Sequence, residues 1–157
     1  MKNATAIGFA IVLTSSVATF AKENAADHGL FTPSDIKWSD APAALPPGAK
    51  LAVLEGNPMG KGIYTMRLQM PAGYKIPPHH HRQVEHVTVL SGNFNLGLGD
   101  KFDESAGHAM PPGTFGFLSP KHHHFAWAKD DTVIQLHGIG PWEIVYVNPA
   151  DDPRKKK

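Results

Sequence analysis

No cysteine occurs in the 157 residues, which excludes disulfide staples and any thiolate chemistry, nucleophilic or metal-binding. Charge is sparse as well: acidic and basic residues together make up 18% of the chain, and the formal net charge is +1. That balance offers no electrostatic footprint for nucleic acid, and no nucleic-acid partner is expected. The one basic run, Arg154 to Lys157, ends the chain beside Asp151 and Asp152 and reads as a solvated tail. Long apolar runs are missing everywhere but the N-terminus.

That exception has the layout of a secretory signal peptide over residues 1–21. Lys2 supplies the positive end, Ala6 to Leu13 the apolar stretch, and Thr19-Phe20-Ala21 a small-residue cleavage site. The stretch is too short for a permanent bilayer anchor. Lys2 is its only charged residue, so the remainder balances to a formal charge of zero. The expected destination is the bacterial periplasm or the exterior, with no membrane association after cleavage near Ala21. An exported protein without cysteine must be stable by packing alone.

Proline (14) and glycine (15) are plentiful and spread along the chain, which suits short strands joined by turns. Residues 22–48 read as an N-terminal extension, rich in proline around Ala41 to Gly48, with a helical turn near Pro33 to Trp38 that Thr32 could cap. From Ala49 onward the pattern is strand and turn. In Gly62 to Met70, Tyr64, Met66, Leu68 and Met70 form an apolar face and Ile63, Thr65, Arg67 and Gln69 a more polar one, the mark of a half-buried strand. Further strands are expected at Ala49–Glu55, Val84–Leu90, Asn93–Leu98, Thr114–Leu118, His123–Ala128, Thr132–His137 and Trp142–Val147. About ten short antiparallel strands at this spacing predict an all-β sandwich or barrel over residues 49–148, with 149–157 as a charged tail.

Against this modest composition stand ten histidines, six of them in two runs, His79–His81 and His122–His124. On a strand, side chains alternate, so His79 and His81 project to one face with Cα atoms about 6 to 7 Å apart. Both can reach a single ion, whose bonds to imidazole nitrogen are about 2.0 to 2.2 Å. Glu85 shares strand parity with Val87 and Val89, which assigns its carboxylate to a buried face, where an uncompensated charge is expensive.

The segment Gly73-x5-His79-x-His81-x3-Glu85-x6-Gly92 resembles the first motif of the cupin superfamily at every spacing. Pro111, Gly113 and the turn before the second histidine run resemble the second motif more loosely: Ser119 stands where the family has proline, and Pro120 follows one place late. The closest likeness is to small secreted single-domain cupins that end in Gly-Ile-Gly-Pro-Trp and Tyr-Val-Asn-Pro. The resemblance implies a single cupin barrel of jelly-roll type and one divalent transition metal held by three histidines and a glutamate. His79, His81 and Glu85 would be three of the ligands. Counting from Gly113, the fourth falls on His124, whose strand neighbours Ala126 and Ala128 leave room for an ion; His123, in phase with bulky Phe125 and Trp127, is the alternative. Carboxylate and imidazole suit Fe(II), Mn(II), Ni(II), Co(II) or Zn(II) alike.

The expected function is that of a metal-dependent periplasmic enzyme acting on a small organic substrate, oxygenase- or oxidase-like as first choice, with Glu85 also a proton acceptor. A non-enzymatic binder of a metabolite or metal, and a sugar isomerase or epimerase, are the alternatives. By resemblance the chain is expected to form a homodimer. Outside the ligand set, His80, His122 and the unused member of His123 and His124 are expected at the rim, and His86 and His108 at the surface. His137 is expected as a hydrogen-bonded core histidine, Phe117 in the core, and Trp127 and Trp142 in the core or at a dimer contact.

Overall fold

The computed structural model describes residues 28–155; the leader expected over residues 1–21 lies outside them. Eleven strands are present: β1 (Ser39–Asp40), β2 (Lys50–Gly56), β3 (Gly62–Met70), β4 (Lys75–His80), β5 (Glu85–Ser91), β6 (Phe94–Leu98), β7 (His108–Met110), β8 (Phe115–Leu118), β9 (His124–Ala128), β10 (Thr132–Gly140) and β11 (Val145–Tyr146). They form a six-stranded sheet, β1-β2-β3-β10-β5-β8, and a five-stranded sheet, β11-β4-β9-β6-β7. Every pairing is antiparallel. The fold is all-β, as the turn spacing predicts, and two such sheets face to face make a jelly-roll barrel.

The inner face follows the alternation read from the sequence. Tyr64, Met66, Leu68 and Met70 of β3, Val87 and Val89 of β5, and Ile134 and Leu136 of β10 are all buried in one core. Strand β9 is buried on both faces. His124, Ala126 and Ala128 share the parity that faces the core, while Phe125 and Trp127 lie beneath Phe102, with ring centroids 5.0 and 5.7 Å from it. The bulky residues are thus sealed on the outside of their strand, and the small ones leave space inside.

Several boundaries differ from the sequence reading, each for a local reason. Strand β10 does not stop at His137, because Gly138–Gly140 continue the ladder against Gly62–Tyr64. The strand expected over Trp142–Val147 shrinks to Val145–Tyr146, since the Trp142 amide donates to the Pro58 carbonyl at 2.6 Å instead of to a neighbouring strand. Phe117 is not in the core: it is 64% exposed on the outer side of β8, whose inward positions are Gly116 and Leu118. His137 is neither core nor cavity. It is half-buried on the outer face of β10, its ring stacked on His86 at 4.7 Å.

Both terminal segments are more integrated than their composition suggests. The extension carries the expected turn, at Pro33–Asp35, where Asp35 accepts a hydrogen bond from the Thr32 amide at 2.8 Å. Beyond it the chain joins the fold before Ala49: β1 pairs with β2, Leu45 is buried, and Tyr146 donates its hydroxyl to the Ala44 carbonyl at 2.7 Å. At the other end Asp152 is buried, and Arg154 donates to the Ile144 carbonyl at 3.2 Å. The tail is thus docked through Asp152, while Arg154 and Lys155 of the basic run are exposed.

The sealed outer layer of β9 depends on Gly97, because a Cβ there would run into the Phe125 ring. Gly97→Ala is expected to lower stability by about 1–3 kcal/mol, the usual effect of overpacking. Denaturant unfolding checks this, and the loss should be partly recovered in the Gly97→Ala, Phe125→Leu double variant.

Candidate metal centre

Four of the buried polar side chains converge on one point. Strand β4 delivers His79, and His81 follows just past its end; β9 opens with His124, paired directly across from His79. All three belong to the five-stranded sheet or its margin. Glu85 opens β5 in the other sheet, so the carboxylate comes from the opposite wall. His79, His81, Glu85 and His124 are all at least 94% buried. A nitrogen from each of the three histidines lies within 4.8 Å of the other two. Glu85 Oε2 is 3.3 Å from His81 Nε2 and 3.7 Å from His124 Nε2.

The hydrogen bonds of the imidazoles decide what these groups can do. Nδ1 of His79 meets the Pro77 carbonyl at 2.7 Å, Nδ1 of His81 the Glu143 carbonyl at 2.6 Å, and Nδ1 of His124 the His122 carbonyl at 2.9 Å. A carbonyl oxygen only accepts, so each Nδ1 carries the proton, and each neutral ring presents the lone pair of Nε2. This is the arrangement that fixes ring orientation in metal-ligating histidines. His81 Nε2 is buried with no hydrogen-bond partner, the approach of Glu85 being too poorly aimed to make one. Three lone pairs and a carboxylate therefore face one another with no donor among them. Such a set is stable only around a cation, and the donors fit a divalent transition metal.

Without a metal, the cation is a proton. Burial works to raise Glu85, but the surrounding His81, His124 and His79 outweigh it and hold the carboxyl at about 2. Burial depresses His79 well below the ordinary histidine value and His124 to about 4. For His81, burial is outweighed by the charge of Glu85, and its value is raised. As pH falls, the metal-free site thus takes its first proton on His81, with Glu85 charged and His79 and His124 still neutral.

The histidine runs divide by strand parity. His80 turns away from the cluster and stacks on His123 at 5.1 Å. His123 faces outward and meets Asp100 at 2.6 Å through Nδ1, so the geometry brings His124, not His123, to the other three. His122 and His108 are exposed. Trp142 is the member that sequence reasoning missed: its Nε1–H donates to Glu85 Oε1 at 3.1 Å, and its ring stacks on His81 at 5.9 Å. No spacing rule links an indole to a carboxylate 57 residues earlier. The cavity beside the cluster is small, ≈ 20 Å³, and apart from the four polar groups its walls are apolar, including Leu45, Ile76, Phe94 and Trp142.

This fold, with three histidines and a glutamate gathered inside a jelly-roll barrel, is that of a cupin. The chain belongs to the ChrR cupin-like domain family, whose model matches residues 27–143. Among solved structures it is similar to the polyketide cyclase RemF from Streptomyces resistomycificus, at 16% identity over 80% of this chain and 89% of that one, with a TM-score of 0.66. It is similar to an acetylacetone dioxygenase from Acinetobacter johnsonii, at 16% identity over 84% and 85%, with a TM-score of 0.60. KdgF from Halomonas sp. is similar at 20% identity over 70% and 94%, with a TM-score of 0.53. At these identities the likeness is one of fold. No curated protein matches the sequence.

Trp142→Phe keeps the ring but removes the donor that holds Glu85. It is expected to weaken metal binding by about 10- to 100-fold, as loss of such supporting contacts generally does, measured by competition with a chromophoric chelator. The sign of the pH dependence follows from the proton on His81, whose value lies above 6.5. Metal must displace that proton, so affinity should fall about tenfold per pH unit below the His81 value and more steeply towards pH 4, where His124 also protonates. Calorimetry near pH 6 in buffers of different ionisation enthalpy should detect about one proton released per metal bound.

Proposed function

We propose that this chain is an exported, metal-dependent enzyme acting on a small organic molecule, with oxygen-dependent oxidation or cleavage as the reaction class. The observation that carries the reading is the donor-free meeting of three Nε2 lone pairs and the Glu85 carboxylate in an otherwise apolar cavity. His79, His81 and His124 would hold the ion, Glu85 would complete the set, and Trp142 would keep the carboxylate in place. When bound, a divalent transition metal supplies a Lewis acid and, for a redox-active ion, a centre for O₂.

The cavity walls bear on the reaction class. Among the described residues, no ionisable side chain other than the four cluster members lines the cavity. Isomerisation or epimerisation of a sugar, which needs a paired acid and base, therefore finds little support. With the three imidazoles committed to an ion, Glu85 would be the one group left there to accept a proton, and its low value makes it a weak base. The structural likeness to an acetylacetone dioxygenase agrees with oxidation but is one of fold alone. Export to the periplasm belongs to this proposal and rests on Lys2, the Ala6–Leu13 stretch and the site before Lys22.

The ≈ 20 Å³ cavity favours one second reading. It holds little beyond an ion and about one water, which suits a protein that stores or senses a metal without turnover. Elemental analysis of the purified chain, followed by oxygen-electrode measurements with small diketones, phenolics, dicarboxylates and sugars, separates the two. The enzyme reading expects close to one equivalent of metal per chain, lost in His79→Ala, and oxygen uptake with at least one class of compound. Stoichiometric metal without uptake on any class would establish the storage or sensing role instead.

A further inference from the structure

A larger hollow lies on the other side of Trp142. It is a surface groove of ≈ 310 Å³, against ≈ 20 Å³ for the cavity at the histidines. The groove, unlike the cavity, has the dimensions of a small-molecule site. Trp142 and Ile144 line both spaces, so a thin wall of two side chains separates the groove from the metal centre, and one of them is hydrogen-bonded to Glu85.

The chemistry of the groove is uneven. Pro42, Ala44, Met59 and Val145 add an apolar surface to that of Trp142, while Arg82, Arg154 and Glu143 supply the charge, with Asp152 behind Arg154 as its partner. Arg154 is held in a fixed pose. Its Nε and Nη2 donate to the Asp152 carboxylate at 2.7 and 2.8 Å, and Nη2 also to the Ile144 carbonyl at 3.2 Å. Nη1 takes no part in these bonds. Arg82 pairs with Glu143 through Nε at 3.0 Å, with the two side chains 70% and 37% exposed. An exposed pair of this kind is worth little, so the Arg82 guanidinium is available to a second acceptor. Two guanidinium groups beside an indole suit a carboxylate attached to an apolar body.

We propose that this groove is a binding site for a small organic anion, a monocarboxylate whose charge meets Arg154 and Arg82 and whose apolar body lies against Trp142 and Met59. On the metal-enzyme reading, on which this second part rests, the groove is the antechamber from which the reacting end of the substrate reaches the metal past Trp142. With Arg154 already paired to Asp152 and Arg82 to Glu143, the groove has no charge to spare for a dianion such as phosphate. The groove at Leu98, His108 and Phe117 is a poorer candidate, since it contains no Arg or Lys and shares only Leu96 with the inner cavity.

The test uses the purified metal-free chain, titrated with benzoate and with benzamide, a neutral molecule of nearly the same shape. The nitrogen-labelled indole resonances of Trp38, Trp127 and Trp142 report the location. Benzoate should shift Trp142 and bind at least about tenfold more tightly than benzamide, the worth of one charge-assisted hydrogen bond. Arg82→Gln and Arg154→Gln should each weaken it by about tenfold, whereas Arg67→Gln, on the outer sheet face beside Gln135, should not. Arg154→Gln also loosens the docked tail, so Arg82→Gln, at an exposed pair, carries the test independently. Equal affinity for the two probes, or benzoate binding unchanged in Arg82→Gln, overturns the proposal. Metal content is measured separately. Arginine-dependent benzoate binding in a chain that takes up no metal keeps the groove and removes the enzyme reading, while a metal-loaded chain without such binding does the reverse.

Discussion

Three backbone carbonyls hold the site together. Pro77, Glu143 and His122 each take the Nδ1–H of one imidazole and so fix both its tautomer and the direction of its free lone pair. Were a ring to take the other tautomer, it would present an N–H to its neighbours and close the site to a cation. Two of the three carbonyls lie two residues before the histidine they hold. The third, Glu143, comes from the far end of the chain and ties His81 to the segment that also carries Trp142. The orientation of the ligand set is thus a property of the backbone, and the side chains inherit it.

The barrel positions the carboxylate opposite the imidazoles. Neither sheet could build the site alone, because β4 and β9 contribute histidines from one wall and β5 contributes Glu85 from the other. The site therefore reports on the spacing between the sheets, which the apolar residues around it determine. Strand β9 shows how the space is kept: its large aromatics are packed outward under Phe102, and its alanines face in. A one-residue slip of β9 would put Phe125 where the His124 imidazole sits.

Much of this was legible in the sequence, and for a definite reason. Strand alternation is a short-range rule, and His79, His81, Glu85 and His124 each sit in a strand, or at its edge, where parity alone decides the direction of the side chain. The choice of His124 over His123 followed from the alanines that share its face. What escaped was decided by distant contacts. Trp142 reads as core and is buried there, but its bond to Glu85 spans 57 residues and leaves no local signal. Leu45 looked like part of a linker, yet it lines the cavity, because the segment around it is held by Tyr74 and Tyr146. Hydrophobicity alone puts Phe117 in the core, whereas its parity on an edge strand turns it to solvent. His137 cannot face inward, because Ile134 and Leu136 take that side of β10.

The carbonyl of Glu143 carries one more implication, for the order of events in the life of the molecule. The histidines and Glu85 are all in place within the first 124 residues, but His81 cannot be oriented until the chain has been made through residue 143 and folded back against the barrel. A high-affinity site therefore does not exist on a nascent or half-folded chain. An ion bound by this set would be taken from whatever pool surrounds the protein once its last segment has docked. Metal identity would then depend on when and where folding ends, as much as on the four side chains that could hold the ion.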